Sequence, residues 1–352
     1  SIKMDTLFGK TLSELKQVCE QFSLPGFAGK QMADWLYKKG VTSISEMTNI
    51  SLKSRAALSE CYTIGLTEPV SVMVSKDGTK KYLYQYGERD FVEAVLIPDK
   101  DRATLCISTQ VGCKMNCQFC ATGRQGFSRN LSCNEILNII RSLPEFSCLT
   151  NIVYMGMGEP LDNYDNVVRS IEILTSEWGF ALSPHRITVS TSGYLSRLKD
   201  FLDQTKVHLA ISLHNPVSQE RERLMPIEKS YKIKDVVELL KQYDWKSQRR
   251  LTFEYIVFEG LNNQKRHVLA LMRLLDGLFC RINLIKFHTI EGTPYIAASE
   301  QSMEKLRDTL SSKNTICTIR ASRGEDILAA CGLLSTKKIL ENGRNNTTVE
   351  SK

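Results

Sequence analysis

Residues 103–120 read ATLCISTQVGCKMNCQFC and decide how the rest of the chain is interpreted. Their first part, ATLCIST, is an apolar run of strand length with β-branched residues. Three cysteines, Cys113, Cys117 and Cys120, follow within eight residues on what must be a loop. A strand that leads into a loop of this kind indicates a site for chemistry at the end of the strand.

Strand-like runs recur along the chain downstream of this strand. Five further strand-like runs follow, each with room for a helix before the next: NIVYMG, RITVSTS, VHLAISLH, RLTFEYIVF and RINLIKFH. Such alternation predicts βαβ units and a parallel sheet. Ser132 and Glu135 form a capping-box pattern that starts the first intervening helix. We therefore expect an α/β fold with a six-unit partial or complete barrel and its chemistry at the C-terminal strand ends.

Four segments are expected along the chain. Residues 1–67 show apolar side chains at helical spacing and predict a small helical domain. Residues 68–98 contain β-rich runs separated by turn signals, which predict an antiparallel β-hairpin that serves as a linker or extension. Residues 99–334 form the α/β core. Residues 335–352 are almost entirely polar and are expected to be a disordered tail.

Composition excludes several classes of protein. With 42% hydrophobic and 24% charged residues, the chain of 352 residues is typical of a globular protein, and no run approaches the ~20 apolar residues of a membrane span. No secretory signal is visible, so a cytoplasmic location is expected. The net charge of +7 suits an anionic partner but is weak evidence by itself. The odd number of cysteines, 11, favours metal ligands or catalysis over a disulfide framework.

The cysteine loop has two chemical interpretations. A zinc site normally uses four ligands, and no second pair of suitable spacing follows Cys113, Cys117 and Cys120. Three cysteines suit a four-iron cluster with one iron left open, because such clusters otherwise use four thiolates. The C-x3-C-x2-C spacing, with Phe119 before the last cysteine, resembles the signature of the radical S-adenosylmethionine (SAM) superfamily, in which SAM chelates the open iron.

Other segments extend this resemblance. The run MGMGEP at residues 155–160 ends the second strand, where radical SAM proteins carry a Gly-Glu segment that pairs with the SAM amino group. A glycine-rich turn or a hydrogen-bonded core residue is the alternative for each position taken alone. The residues that the resemblance implies as cofactor contacts are Phe119, Gly158, Glu159, Ser190, Ser212, Leu213 and His214.

Four further runs, ATLCISTQVGC, GFSRNL, RLMPI and RASRGEDILAACG, together resemble the RlmN-type adenine C2 methyltransferases. The similarity extends from about residue 8 to residue 334. It implies a (β/α)6 partial TIM barrel with an N-terminal accessory domain, one [4Fe-4S] cluster and two SAM molecules per turnover. The implied substrates are 23S rRNA in its peptidyl-transferase region and the adenosine 3′ of the anticodon in tRNA. We also expect an electron donor of flavodoxin type and a monomeric enzyme.

The resemblance also implies roles for three residues outside the cysteine loop. Adenine C2 is electron-poor and cannot attack a sulfonium methyl, so the family first methylates a cysteine and then activates that methyl by a radical. Cys331 is implied as the methyl carrier and Cys106 as the thiol that resolves the protein–RNA bond through a transient disulfide. Glu93 is implied as the base for the C2 proton. Inert buried cysteines and a solvated strand carboxylate are the alternatives.

One position departs from the family, since His288 stands where an Asn commonly contacts SAM. A neutral His offers one hydrogen bond per ring nitrogen and mimics such a contact only in part. RNA contact is expected from basic residues near the barrel mouth, namely Lys114, Arg124, Arg129, Arg320 and Arg323. Two rival functions remain at this point: a C8-specific adenine methyltransferase of the antibiotic-resistance type, and a zinc-dependent RNA-binding protein without enzymatic activity.

Overall fold

The structure is a computed structural model, and it describes residues 4–336. The expected tail therefore lies outside the described residues except for Ser335 and Thr336. Thr336 is fully buried, so the chain is still packed at the position where the tail was expected to have begun.

The N-terminal segment is helical, as its apolar spacing predicts. A parallel pair of two-residue strands closes it at its two ends. In α1, Thr11 and Glu14 form a capping box, and Leu15, Val18 and Cys19 face the core. The elements in order are β1 (Asp5–Thr6), α1 (Leu12–Gln21), α2 (Ala28–Ala33), α3 (Leu52–Cys61) and β2 (Tyr62–Thr63).

The expected antiparallel segment consists of three strands, β3 (Ser71–Val74), β4 (Lys80–Gln85) and β5 (Phe91–Asp99). These strands are part of the main sheet, because β5 pairs antiparallel with β6 (Arg102–Cys106), the first strand of the core. The segment therefore extends the sheet instead of only linking two domains. Its buried Tyr84 donates a hydrogen bond to the carbonyl of Ile139.

The cysteine loop follows β6 and is framed by a short antiparallel pair, β7 (Gln110–Gly112) and β8 (Phe127–Asn130). The five-residue helix α4 (Ala121–Gln125) starts directly after the last cysteine of the loop. This arrangement holds the loop beyond the C-terminal end of β6.

The remaining strands form a parallel sheet, as the alternating pattern predicts. The main sheet has ten strands in the order β14-β13-β12-β11-β10-β9-β6-β5-β4-β3, and every pair from β6 to β14 is parallel. The strands are β9 (Asn151–Tyr154), β10 (Ile187–Thr191), β11 (His208–Ser212), β12 (Leu251–Val257), β13 (Arg281–Lys286) and β14 (Ile316–Ile319). Parallel β14 is a seventh strand of the core, whereas the sequence pattern predicted six.

Helices connect the parallel strands. The capping box of Ser132 and Glu135 is present at the start of α5. The helices are α5 (Cys133–Arg141), α6 (Tyr164–Thr175), α7 (Leu195–Gln204), α8 (Ser218–Leu224), α9 (Ile233–Leu240), α10 (Lys265–Leu275) and α11 (Glu300–Ser311). In the described part of the chain, no helix is both long and apolar enough to cross a membrane.

Candidate active site

A cavity opens at the C-terminal ends of the parallel strands, where barrels of this type carry their chemistry. Its empty volume, including the part open to solvent, is about 910 Å³. The predicted residues that line it are Cys113, Cys117, Phe119, Cys120, Gly158, Glu159, Ser190, Ser212, His214, Arg320 and Cys331. The fold thus brings together most of the residues selected from the sequence.

The three loop cysteines fit an iron–sulfur cluster by their donor chemistry. All three line the cavity as free thiols, and burial, followed by the nearby Cys120 and Cys113 thiols, raises the pKa of Cys117 well above its usual value. Within residues 4–336, no three His, Cys, Asp or Glu side chains converge on a point that suits a single metal ion. A four-iron cluster does not need such convergence, because each thiolate binds a different iron.

Phe119 anchors the cysteine loop to the barrel. Its ring packs edge-on against His214, with the ring centroids 4.5 Å apart, and also contacts Phe258. His214 accepts a hydrogen bond on Nδ1 from the Ile256 amide, and burial and then Arg221 lower the pKa of His214 to about 3. A neutral, buried imidazole therefore supports the loop on which the cysteines stand.

The carboxylate of Glu159 is fixed at the end of β9. Its Oε1 accepts hydrogen bonds from the Thr191 hydroxyl and from both the amide and the hydroxyl of Ser192. Gly158 before it has a φ of +103°, and a Cβ there would lie 2.7 Å from the Cβ of Gln110, so only glycine fits this turn. Gly158 and Glu159 are predicted from the sequence as site residues, whereas Thr191 and Ser192 are not.

Arg221 is a structural residue of the site that the sequence analysis also missed. It is fully buried on α8 and pairs with Glu228 at 2.6 Å. Its guanidinium donates to the carbonyls of Ser192 and Leu213, in the loops after β10 and β11, and of Ser212, the last residue of β11. Arg221 therefore clamps two cavity-lining loops together, and removing it would leave Glu228 buried without its partner.

Two further cysteines, Cys106 and Cys331, lie within the electrostatic influence of Arg320. Arg320 places Nη1 3.8 Å from Glu254 Oε2 and Nη2 3.6 Å from the sulfur of Met155. Burial and the neighbouring Cys331 thiol raise the pKa of Cys106 to about 12, while Arg320 acts in the opposite direction. Burial raises the pKa of Cys331 to about 11, again opposed by Arg320. The charge of Arg320 therefore acts on both thiols.

All eleven cysteines are free thiols in the structure, so it gives no support to a standing disulfide. Cys331 lines the cavity, whereas Cys106 is half-buried on β6 and does not line it. A disulfide between these two residues is meaningful only as a transient species.

The segment after Cys331 is tied to the cysteine loop and to β5. Ser335 donates its amide to Glu93 Oε1 at 3.1 Å. Glu93 is buried and also pairs with Lys81 at 2.9 Å, so it lies behind this segment and does not line the cavity. The contacts to α4 are Ala121 N to Gly332 O, Thr122 Oγ1 to Leu334 O, and Gln125 to Ser335 and Thr336.

Two predicted cofactor residues lie away from the cavity lining. The side chain of Leu213 belongs to the hydrophobic core, and only its carbonyl contributes, by accepting from Arg221. His288 is buried against the segment after β14, with Nε2 2.9 Å from the Ser322 hydroxyl and Nδ1 3.3 Å from Glu325. The structure thus separates these two positions from the other cofactor candidates.

The predicted RNA-contacting residues differ in their surroundings. Arg129 is engaged with Asp90 and Glu135, and Arg323 donates to two backbone carbonyls. Lys114 lies 3.2 Å from Asp162. Arg124 is exposed and has no acidic partner among residues 4–336.

Comparisons with known proteins agree with this site. A model of the radical SAM superfamily matches residues 107–272, and a model of the ribosomal RNA large subunit methyltransferase N-terminal domain matches residues 6–64. The chain is similar to a crystal structure of a radical SAM methyltransferase from Sphaerobacter thermophilus, with a TM-score of 0.85 and 35% identity over 94% of this chain and 99% of that one. The fold and site therefore define a radical SAM enzyme.

Curated relatives narrow the class to a family. A probable dual-specificity RNA methyltransferase RlmN from Parabacteroides distasonis is 56% identical over 94% of this chain and 97% of its own length. The dual-specificity RNA methyltransferase RlmN of Syntrophus aciditrophicus is 41% identical over 94% of this chain and 96% of its own. The chain belongs to the RlmN family.

Proposed function

We propose that the chain methylates C2 of an adenine in the peptidyl-transferase region of 23S rRNA, and C2 of the adenosine 3′ of the anticodon in tRNA. The RlmN family to which it belongs, with relatives named as dual-specificity RNA methyltransferases, supports RNA as the substrate. The observation that carries the proposal is that Cys331 lines the same cavity as Cys113, Cys117 and Cys120.

Three thiolates on one loop are a suitable ligand set for a [4Fe-4S] cluster. With SAM bound, such a cluster supplies a 5′-deoxyadenosyl radical, which is the chemistry that an unactivated methyl group requires. Around it the protein fixes polar groups and supplies an apolar wall: Glu159 is held by Thr191 and Ser192, and Phe119 lines one side of the cavity. Two SAM molecules are consumed per turnover in a ping-pong order.

Cys331 carries the methyl group between the two halves of the reaction. Its thiolate attacks the methyl of the first SAM, so a carbon–sulfur bond forms while the sulfonium–methyl bond breaks. A 5′-deoxyadenosyl radical would then take one hydrogen atom from the S-methyl group, which gives 5′-deoxyadenosine and a carbon radical bonded to the Cys331 sulfur. This carbon would add to adenine C2, and the adduct would give up one electron to the oxidised cluster. A place in the lining of the cavity that also holds the loop cysteines suits this task, because the sulfur must meet both the cofactor and the base.

Release of the RNA requires a base and a second thiol. In our proposal Glu93 accepts the C2 proton, and the Cys106 thiolate attacks the Cys331 sulfur, which breaks the bond from sulfur to the methylene and leaves a disulfide. The released methylene carbon takes up one proton and becomes the methyl group. Cys106 is supported by its electrostatic coupling to Cys331. Glu93 is supported by its hydrogen bond to Ser335, four residues after the carrier.

The test is a nucleoside analysis of the product. The holoenzyme is incubated with SAM, a reductant and unmodified RNA, and digested nucleosides are separated by liquid chromatography and mass spectrometry. We expect 2-methyladenosine with the wild type and none with the Cys331→Ala control. A product that elutes as 8-methyladenosine would assign the C8 reaction instead, and unmodified RNA from a cluster-loaded enzyme would refute the proposal.

A further inference from the structure

A row of basic residues lies at the end of the parallel sheet opposite the cavity. Five parallel strands, β6 and β10 to β13, each have an exposed or partly exposed basic residue at their first position or within two residues before it. Because the strands are parallel, these positions share one face of the molecule, which we call the basal face. We name them the basal cations: Arg102, Arg186, Lys206, Arg250 and Arg281.

The basal cations are close together and available to solvent. Strands β10 to β13 are consecutive neighbours, so four of the cations follow one another at strand spacing, about 5 Å per step. Four of the five residues are exposed, and Arg281 is partly exposed. Burial of a long aliphatic stem therefore does not explain why these positions are basic.

The basal cations lack acidic partners. Over residues 4–336, none of the five forms an ion pair, although Asp99 is paired with Arg102 in the antiparallel register of β5 and β6. Burial, and then the charges of Arg281 and Arg102, hold the pKa of Arg250 below its usual value. The charged groups that act on Arg250 are thus cations alone, an arrangement that opposes folding unless an anion neutralises it.

We propose that the basal cations bind the phosphate backbone of an RNA segment remote from the methylated base. The proposal rests on the proposed function in taking RNA as the substrate. It adds a second contact surface, on the face away from the active site. A row of like charges without counter-ions matches a polyanion, since each neutralised phosphate releases condensed counter-ions and gains affinity.

The basal face and the cavity cannot hold the same nucleotide. Strand β12 has seven residues and separates the two faces by about 20 Å at 3.3 Å per residue. RNA on the basal face must therefore belong to another part of a large folded molecule. Binding there contributes affinity for long RNA and leaves the chemistry at the cavity unchanged.

Single-stranded or irregular RNA suits this face better than an acidic protein. Phe279, two residues before Arg281, is 46% exposed, and the Lys246 ammonium lies 5.6 Å from its ring centroid. An exposed aromatic ring beside cations is the combination on which unpaired bases stack. Stable protein interfaces instead bury an apolar centre and leave charged residues at the rim.

The experiment compares two triple variants of the full-length holoenzyme. One removes three basal cations, as Arg102→Gln, Arg250→Gln and Arg281→Gln. The control removes the same charge from exposed lysines without ion pairs among the described residues, on outer helices, as Lys234→Gln, Lys265→Gln and Lys305→Gln. Binding of a long folded rRNA domain and of a minimal target hairpin is measured by fluorescence anisotropy over a range of salt concentrations.

We expect the basal variant to bind the long RNA about tenfold more weakly, with the slope of log K against log salt reduced by about two to three. Its binding and methylation of the minimal hairpin should match the wild type, and its thermal midpoint should be equal or higher because repulsion is relieved. Methylation of the hairpin by the wild type tests the proposed function independently.

Three outcomes overturn the proposal. The first is a long-RNA affinity and salt slope equal to those of the control variant. The second is an equal loss of affinity for the hairpin and the long RNA in the basal variant. The third is unchanged RNA binding with slower reduction by an acidic flavoprotein, which would make the basal face a protein-docking surface.

Discussion

The backbone amide of Ser335 donates a hydrogen bond to Glu93 Oε1 at 3.1 Å, which ties the segment after Cys331 to a buried carboxylate on β5. Burial raises the pKa of Glu93, and Lys81, at 2.9 Å, opposes this shift. Glu93 therefore has two candidate roles: it anchors the segment that bears the methyl carrier, and it serves as the base of the reaction.

Two variants of Glu93 separate these roles. Glu93→Gln keeps an oxygen that can accept from Ser335 but cannot take up a proton, whereas Glu93→Ala loses both properties. If Glu93 is the base, both variants accumulate a covalent protein–RNA species, which denaturing gels detect. Near-normal turnover by Glu93→Gln with failure of Glu93→Ala would leave only the anchoring role.

The loop cysteines are distinguished from Cys331 by cluster content. Replacing Cys113, Cys117 or Cys120 by Ala should abolish the visible absorbance of the cluster and SAM cleavage, whereas Cys106→Ala and Cys331→Ala should keep the cluster. Iron analysis and spectra under anaerobic conditions decide the matter. The test is stringent because Cys331 lines the same cavity, and equal loss of iron in Cys331→Ala would make it a fourth ligand.

Cys106 should be required to release the product. A Cys106→Ala enzyme is expected to accumulate a crosslink that survives denaturation, shrinks to a nucleotide stub on ribonuclease digestion and maps to Cys331 by peptide mass spectrometry. Cys317→Ala is a matched control, because Cys317 is also a free thiol, on strand β14 at the edge of the main sheet. Normal turnover by Cys106→Ala without a crosslink would assign resolution to another thiol.

Methylation of Cys331 should speed up with pH. The thiolate is the nucleophile, and the pKa of Cys331 is raised to about 11, so its reactive fraction grows about tenfold per pH unit from pH 7 to 9. Arg320 lowers that pKa, so Arg320→Met should slow methylation at each pH, by about tenfold if the pKa rises by one unit, and Arg320→Lys should restore part of the rate.

Single-turnover transfer of labelled methyl from SAM to protein measures these rates. A rate independent of pH, or unchanged in Arg320→Met, would contradict a role for Arg320 in activating the carrier thiol and would return Arg320 to the RNA contacts expected from the sequence.

Sequence patterns predicted most of the sheet, and the family resemblance selected most of the residues that line the candidate site. The six strands from β6 to β13 in the main sheet are long apolar runs, and parallel pairing brings their C-terminal ends together. The four-residue strand β14 was not predicted, because TICTIR is short and combines buried with exposed residues at the sheet edge. Edge strands of this kind have a weak periodic signal.

The positions that the sequence could not predict depend on tertiary burial. Arg221 lies in SQERERL, which resembles a solvated helix, yet its side chain is fully buried between two loops. His288 and Leu213 stand at family positions but face Ser322 and the core. Chain position fixes the strand end on which a residue stands, whereas the direction of its side chain depends on neighbours remote in sequence.

The central claim is that Cys331 carries the methyl group that becomes part of the RNA, and the fate of hydrogen tests it most directly. The holoenzyme is turned over with SAM that carries a fully deuterated methyl group, and both products are analysed by mass spectrometry. Our account predicts one deuterium in 5′-deoxyadenosine and two in the new methyl group of the adenine. Retention of all three deuteriums in the RNA methyl, with none in 5′-deoxyadenosine, would mean intact methyl transfer and would contradict the account.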